Sequence, residues 1–330
     1  MKNFKAFFAV IIASAALLSS CSSERETNAD GFVMDSYAHI KVGGGDADKL
    51  MVISKSLDKV FSMFSDESDI YKINESRLPV VVSDDTINAI RETIKLSGEF
   101  GDRVDISVGR LTVLWNVTAE NPKVPTQDEI SQALVSTGLE KIEIDEQNKT
   151  VCSNGVMIDL GAVAKGYACD KLKAELELQN ADFAIVTFGS SSLLYGEKPD
   201  GSLFSAAIKD PENPEKMLGI LNTHEAFIST SGGYERYFEA DGEEYIHIFD
   251  PETGYPAKTD LTSVTVVCSS GIKSDFLSTF IFINGSENLE KYLNHKDFSI
   301  IAITDDKRVF ISDSLKSNFK LSENSEYTVV

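Results

Sequence analysis

Four segments of the chain place apolar residues at the spacing of an amphipathic or buried helix. In residues 46–64 the apolar positions recur every three or four residues, at Leu50, Ile53, Leu57, Val60, Phe61 and Phe64. Similar patterns cover residues 87–100, 163–178 and 275–284. The spacing therefore predicts four long helices, two of them in the middle and late parts of the chain.

Short apolar and β-branched runs bounded by turn residues predict strands. In the first half these runs are residues 32–42, which lead into a Gly43–Gly45 turn, and residues 156–160. The second half is richer in such runs, at 183–188, 204–208, 226–229, 245–249, 263–268, 299–304 and 308–312. Residues 111–117 are apolar and aromatic and end in a polar loop. Runs of strands with a few long helices indicate an α+β fold rather than a regular doubly wound sheet.

The N-terminus has the pattern of a lipoprotein signal peptide. Lys2 and Lys5 precede an apolar run at 6–18, which has the length of a signal segment and is short for a transmembrane helix. Small residues then lead to Cys21, so we expect cleavage after residue 20 and a lipid on Cys21. The alternative is an ordinary cleaved signal with an incidental cysteine. On the favoured interpretation, residues 21–31 form a lipidated flexible tether, and residues 32–330 form the folded domain.

Composition excludes several classes of protein. The 330 residues carry a formal charge of −21, which argues against a nucleic-acid-binding protein and against a polybasic membrane patch. The cysteines after Cys21 are Cys152, Cys169 and Cys268, an odd number without close spacing. They match neither a disulfide framework nor a zinc knuckle, so we interpret them as buried small apolar residues.

A first candidate for chemistry is the segment 158–167, with the sequence IDLGAVAKGY. A predicted strand ends, small residues turn the chain, and a helix begins with Lys165 in its first turn. Open backbone N–H groups and the helix dipole at such a start favour a phosphate, and Gly161 permits close approach. The segment alone is equally consistent with a simple helix start and a surface lysine.

A second candidate is Asp275 with Thr279, four residues later on the same helix face. A carboxylate and a hydroxyl are hard oxygen ligands that suit Mg²⁺ bound to phosphate. The alternative is an N-cap aspartate followed by a packed threonine.

Three further segments carry weaker signals. His247, in a predicted strand that ends near Asp250, could accept a proton or donate to a phosphate, although a lone strand histidine is more often structural. Residues 229–234 (STSGGY) could form an anion-binding loop or only a turn. Asp105, on a strand-like stretch, could bond the edge of a heterocycle or be a polar strand end.

Together, in this order, these segments resemble the ApbE family of flavin transferases over residues 32–285. The segments that carry the resemblance are VMD (33–35), DESDIYKIN (66–74), DISVG (105–109) with Trp115, DLGAVAKG (159–166), STSGGYERYF (229–238), HIFDPETGYP (247–256) and SDFLST (274–279). The resemblance implies an ApbE-like, T-fold-related α+β fold in which mixed sheets and packed helices form a single compact two-lobed catalytic unit.

The resemblance also implies FAD as substrate and Mg²⁺ as cofactor. The metal ligands it implies are the Ala162 carbonyl, the Asp275 carboxylate and the Thr279 hydroxyl. The implied FAD contacts are Met34, Phe64, Arg103, Val104, Asp105, Asp159, Lys165, His247 and Ile248. The chain departs from the family pattern at Phe64, where tyrosine is frequent, at Gly189-Ser190, where Gly-Gly is usual, and at Gly233, where aspartate is frequent.

The implied reaction moves FMN from FAD to a threonine or serine hydroxyl of an extracytoplasmic acceptor protein and releases AMP. His247 is the candidate base, and Asp275 is the charged metal ligand. The implied acceptors are FMN-binding-domain proteins, such as subunits of Rnf-type or sodium-pumping NADH:quinone reductase complexes. A lipid-anchored enzyme on the periplasmic or extracytoplasmic side of the cell membrane suits them. The alternatives are an FAD pyrophosphatase and a flavin-binding lipoprotein without catalysis.

The lipid anchor gives a first test. A Cys21→Ala variant should leave the membrane fraction, because the thiol that carries the lipid is missing. Fractionation of cells and mass spectrometry of the mature N-terminus measure this outcome. A Cys21→Ala protein that stays fully membrane-bound would contradict the anchor.

Overall fold

The computed structural model describes residues 26–323 and 325–330. The predicted signal peptide, the lipid site at Cys21 and the first residues of the tether lie outside this part of the chain. The tether predicted through residue 31 is too long, because Glu26–Val33 forms a strand paired with the next one from Glu26↔Gly43 to Val33↔Ser36. In the described part of the chain, no helix has the length and apolarity needed to cross a membrane.

The strands of the described residues are β1 (Glu26–Val33), β2 (Ser36–Gly43), β3 (Val80–Val81), β4 (Glu143–Asp145), β5 (Thr150–Cys152), β6 (Phe183–Phe188), β7 (Ser191–Gly196), β8 (Phe204–Asp210), β9 (Asn213–Thr223), β10 (Ala226–Gly232), β11 (Tyr237–Ala240), β12 (Glu243–Ile246), β13 (Leu261–Cys268), β14 (Phe298–Thr304), β15 (Arg308–Ile311), β16 (Phe319–Leu321) and β17 (Thr328–Val329). The helices are α1 (Ala47–Phe61), α2 (Asp69–Glu75), α3 (Asp84–Phe100), α4 (Gly109–Trp115), α5 (Gln127–Val135), α6 (Ala164–Gln179), α7 (Gly271–Asn284), α8 (Glu290–Leu293) and α9 (Asp313–Lys316).

A nine-stranded sheet organises the fold, in the order β1-β2-β6-β7-β10-β13-β14-β15-β17. Its pairs are antiparallel apart from β15 with β17. Chain neighbours such as β13 and β14 pair directly, whereas β2 pairs with β6 across the long helical insertion between them. The α+β prediction is confirmed, and the hairpin predicted near residues 299–312 is β14 with β15.

Four predicted elements are wrong. The strand predicted over residues 32–42 is divided by a turn at residues 34–35, which separates β1 from β2. Residues 156–160 form a buried loop with a single bridge, from Met157 to Val108, because their backbone bonds to Ile106, Gly109 and the Asn74 side chain rather than to a neighbouring strand. The stretch around Asp105 is likewise a loop. The strand predicted over 245–249 ends at Ile246, so His247 follows it.

Different structural elements pack on the two faces of the central sheet. Long helices cover one face, where sheet residues such as Val186 and Val266 pack with Leu172 of α6 and Phe276 of α7 in one continuous core. The small sheet β16-β9-β8 covers part of the other face around Ile301 and Leu221. The apolar faces of the helices and of the sheet are buried against each other. As a result, the starts of α6 and α7 lie against strands β7 and β10.

The first turns of α6 and α7 touch backbone to backbone at two glycines. A Cβ atom built on Gly166 would lie 2.1 Å from the carbonyl oxygen of Gly271, and one on Gly271 would lie 2.1 Å from the oxygen of Gly166. No side chain fits at either position, so these two helix starts approach as closely as backbone atoms permit.

Replacing Gly166 by alanine should therefore separate α6 from α7. We expect the free energy of unfolding to fall by about 1–3 kcal/mol, as for other overpacked sites. Denaturant titration measures this change. Gly98→Ala is the matched control, since no atom lies within 4 Å of its Cβ position in α3, and it should stabilise the protein by roughly 0.5–1 kcal/mol. Equal effects of the two substitutions would contradict the close packing.

Candidate active site

Two carboxylates hold the starts of α6 and α7 together, each accepting hydrogen bonds from the other helix. Asp275 of α7 accepts from the Gly166 amide at 2.6 Å. Asp170 of α6 accepts from the amides of Gly271 at 2.7 Å and Ile272 at 2.8 Å. These amides are among the donors that a helix start leaves unpaired, so each helix supplies the cap of the other.

Asp275 is also tied to the central sheet. Its second oxygen accepts a hydrogen bond from the Ser191 hydroxyl of β7 at 2.7 Å, and its side chain is buried. One turn further along α7, the Thr279 hydroxyl lies 3.1 Å from the Ser231 hydroxyl of β10, which also lies 2.9 Å from that of Ser278. The structure thus brings Asp275 and Thr279 together on one face of α7, as predicted, within a cluster of hydroxyl groups.

The Ala162 carbonyl is the remaining predicted metal ligand. Gly166 is the third residue of α6, so its amide is one of the donors that have no acceptor within the helix, and Ala162 lies before the helix start. The amide donates to Asp275, and among the described residues the Ala162 carbonyl accepts no backbone hydrogen bond. One carboxylate, one hydroxyl and one free carbonyl form an oxygen donor set that fits Mg²⁺, which usually keeps waters and substrate phosphates as its other ligands.

Lys165 and Asp159 flank the start of α6. Lys165 is the second residue of the helix, and no carboxylate oxygen of the described residues lies within 4 Å of its ammonium group. Asp159 accepts from the Gly161 amide at 2.8 Å and from the Thr112 hydroxyl at 2.7 Å. An unneutralised lysine beside a helix start favours an anionic ligand such as phosphate.

Asn74 fixes the loop that carries Asp159. Its side-chain amide donates to the Ile158 carbonyl at 2.9 Å, and its oxygen accepts from the Ile158 amide at 2.7 Å. The two bonds bind Ile158 as a neighbouring strand would, which satisfies a backbone that has no strand partner. The sequence motif that contains Asn74 pointed to this region but not to this role.

His247 lies directly after β12 and is held through one carbonyl. Both its backbone amide, at 3.1 Å, and its ring Nδ1, at 3.2 Å, lie within hydrogen-bonding distance of the Arg236 carbonyl oxygen. Burial, together with the positive charges of Arg236 and Lys165, lowers the pKa of His247 to about 4, against the opposing effect of the hydrogen bond to the Arg236 carbonyl. Because a carbonyl only accepts, Nδ1 carries the proton and Nε2 is left as the free base.

Arg103 and Asp105 line a cavity of about 640 Å³ between the loop after α3 and the turn at residues 250–254. Arg103 bridges Asp250 at 2.9 Å and Glu252 at 3.0 Å, so it closes one wall of this cavity. Burial raises the pKa of the Asp105 carboxyl, which accepts from the Ser107 amide at 2.7 Å. The wall also contains Gly98, Gly138, Leu139 and Pro251.

The other predicted flavin contacts differ in exposure. The side chains of Val104 and Ile248 are buried in the core, so only their backbone groups can reach a ligand. Met34 begins the left-handed turn between β1 and β2, and the next residue, Asp35, accepts from Arg236 through its carbonyl at 2.9 Å. Phe64 is 71% exposed, and its ring is open for stacking.

Sequence reasoning missed Asp170 and Ser191, and it placed Ser231 in a candidate loop, whereas Ser231 lies in strand β10. Asp170 lies three residues beyond the predicted phosphate segment at 158–167, and Ser191 lies in a strand that was not predicted. Serine and aspartate are common residues at such positions, so only the groups that they contact in the folded protein reveal their role.

The site joins a lysine at a helix start to a set of oxygen groups, an arrangement suited to an enzyme that binds phosphate. A sequence model described as the ApbE family matches residues 34–303, and the chain belongs to that family. Among its relatives, the FAD:protein FMN transferase of Haemophilus influenzae is 27% identical over 96% of this chain and 98% of its own length. That of Vibrio cholerae is 31% identical over 84% of this chain and 87% of its own length.

Solved structures agree with the sequence comparisons. The ApbE protein of Thermotoga maritima is 29% identical, superposes with a TM-score of 0.82, and is matched over 89% of this chain and 99% of its own. The apo flavinyl transferase ApbE of Pseudomonas stutzeri is 26% identical, with a TM-score of 0.74 over 85% of this chain and 91% of its own. The predicted family and fold are thereby confirmed.

The pKa of His247 gives a pH-dependent prediction. It is about 4 in the folded protein against an ordinary 6.5, so between these values unfolding takes up a proton. The stability present above pH 6.5 is therefore lost as the pH falls towards 4. His247→Gln should remove this part of the pH dependence, measured by denaturant unfolding at pH 4.5 and pH 7. An unchanged slope in the variant would contradict the burial of a neutral imidazole.

Proposed function

We propose that this chain is a magnesium-dependent FAD:protein FMN transferase that attaches FMN to a threonine or serine hydroxyl of an acceptor protein. The observation that carries the proposal is the set of oxygen donors at the start of α6. The Gly166 amide donates to Asp275, the only charged residue of the set, and among the described residues the Ala162 carbonyl accepts no backbone hydrogen bond. That arrangement places oxygen ligands for a cation at a helix start suited to phosphate.

The pyrophosphate of FAD would bind between the start of α6 and Lys165. Ala162, Asp275 and Thr279 would hold Mg²⁺, and the bound ion supplies positive charge that neutralises the phosphate oxygens. Lys165 adds a second positive charge, and no carboxylate of the described residues lies within 4 Å to compete for it. The flavin and adenosine ends would use the remaining predicted contacts, with Arg103 and Asp105 in the wall of the 640 Å³ cavity.

The reaction follows from these groups. The acceptor hydroxyl oxygen attacks the riboflavin-side phosphorus of FAD, and a new phosphoester bond forms there. The bond from that phosphorus to the bridging oxygen breaks, and AMP leaves with the electron pair. Nε2 of His247 takes the hydroxyl proton, since burial lowers its pKa to about 4 and leaves it unprotonated near neutral pH.

We further propose that the mature chain is anchored at Cys21 and faces the periplasm or the extracytoplasmic side of the cell membrane. Its acceptors there would be FMN-binding-domain proteins, including subunits of Rnf-type or sodium-pumping NADH:quinone reductase complexes. The same site acting on water would be an FAD pyrophosphatase, which gives FMN and AMP. A flavin carrier without catalysis is the third candidate, and it has no need for the oxygen donors around Asp275.

One incubation separates the three functions. The mature protein is mixed with FAD, MgCl₂ and a purified FMN-binding-domain acceptor, and the products are measured by mass spectrometry. We expect one FMN phosphate on an acceptor hydroxyl and an equal amount of AMP, and no reaction when the metal is chelated. FMN and AMP released at the same rate with and without acceptor would support the hydrolase, and uncleaved FAD throughout would support the carrier.

Asp275→Ala tests the site within that assay. It removes the only charged ligand proposed for the metal, so turnover should fall by at least about 100-fold at saturating MgCl₂. Circular dichroism and thermal unfolding establish that the variant is folded. A folded Asp275→Ala protein that retains most of its activity would remove this carboxylate from the mechanism.

A further inference from the structure

Asp170 lies outside the proposed ligand set, but it bonds to the start of α7, the helix that carries Asp275. Its two carboxylate oxygens accept separately, Oδ1 from the Gly271 amide and Oδ2 from the Ile272 amide, and the Ser270 hydroxyl lies 3.4 Å from Oδ2. These three donors belong to the residue before α7 and to its first two residues. One side chain of α6 therefore fixes the position and direction of the start of α7.

Asp275 is one turn further along the same helix, four residues after Gly271. A displacement or rotation of the first turn of α7 would move its carboxylate away from the Gly166 amide, which lies at 2.6 Å. The position of Asp275 relative to the start of α6 thus depends on the hydrogen bonds from Ser270, Gly271 and Ile272 to Asp170, which form a clamp on the start of α7.

Because the backbones of α6 and α7 are in close contact here, even a small displacement of α7 would weaken the contact between the two helices. Gly166 and Gly271 leave no space for the helices to approach further, so the contact can only loosen. Burial raises the pKa of Asp170 while its amide partners lower it. A partly buried carboxylate whose acceptors are occupied by backbone amides has the pattern of a group that positions others.

We propose that Asp170 is a positioning residue for the metal site, which acts by holding Asp275 and the Ala162 carbonyl in the arrangement that binds Mg²⁺. The inference rests on the proposed function and adds a residue to it. Asparagine at this position keeps one acceptor oxygen and places an NH₂ group against a backbone N–H, so one of the two clamping bonds is lost.

The test uses the fluorescence anisotropy of FAD bound to the mature protein, titrated with MgCl₂, so that binding is measured without turnover. Asp170→Asn should raise the MgCl₂ concentration for half-maximal response by about 10–100-fold, the usual effect of removing a group that orients metal ligands. FAD affinity without magnesium should stay within about twofold of the wild type. Ser270→Ala, a milder change in the same clamp, should shift the midpoint in the same direction by a smaller factor.

Asp260→Asn is the matched control. Asp260 accepts from the amide and hydroxyl of Ser286, just beyond the other end of α7, so its loss loosens the same helix far from Asp275. Thermal unfolding measures the stability of each variant, so that the shift in MgCl₂ midpoint can be compared with the loss of stability. We expect Asp260→Asn to lower the melting temperature and leave the MgCl₂ midpoint unchanged.

Two outcomes overturn the inference alone: an unchanged midpoint in both clamp variants, or an equal shift in Asp260→Asn. A wild-type protein whose FAD binding does not respond to MgCl₂ would instead overturn the proposed function, since no metal site would then exist for Asp170 to position.

Discussion

The exchange of caps between α6 and α7 is the constraint on which the site depends. Each helix start exposes amides that need acceptors, and in this protein the acceptors are carboxylates of the opposite helix, Asp275 and Asp170. Two glycines allow the backbones to meet at that point. The packing that stabilises the fold is therefore the same packing that assembles the candidate metal ligands.

The central sheet gives this pair of helices its fixed orientation. Strands β7 and β10 present Ser191 and Ser231 towards α7, and their hydroxyls reach Asp275 and Thr279. A carboxylate bonded on both sides has few alternative rotamers, so its position is set before any ligand arrives. Such preorganisation lowers the cost of binding a cation, because the ligands need little rearrangement.

Electrostatics divide the site into two parts. Around α6 and α7, Lys165 and the helix start favour anions in a chain whose formal charge is −21. At His247, burial holds the imidazole neutral, with Nδ1 committed to a backbone carbonyl. The start of α6 with Lys165 is suited to bind a phosphate, and His247 is suited to accept a proton. Both parts lie at the ends of elements that pack in the same core.

The sequence by itself determined the long helices, the α+β class and the order of the motifs, because periodicity and local turn chemistry are written into neighbouring residues. It also placed Asp275 and Thr279 on one helix face, since that requires only a spacing of four. It misassigned residues 156–160 as a strand, because an apolar run has the same pattern in a buried loop, and it placed His247 on a strand that ends one residue earlier. The roles of Asp170 and Ser191 were decided by the tertiary structure alone. They depend on partners that lie 101 positions away for Asp170 and Gly271 and 84 positions away for Ser191 and Asp275, and no local pattern encodes contacts across that distance.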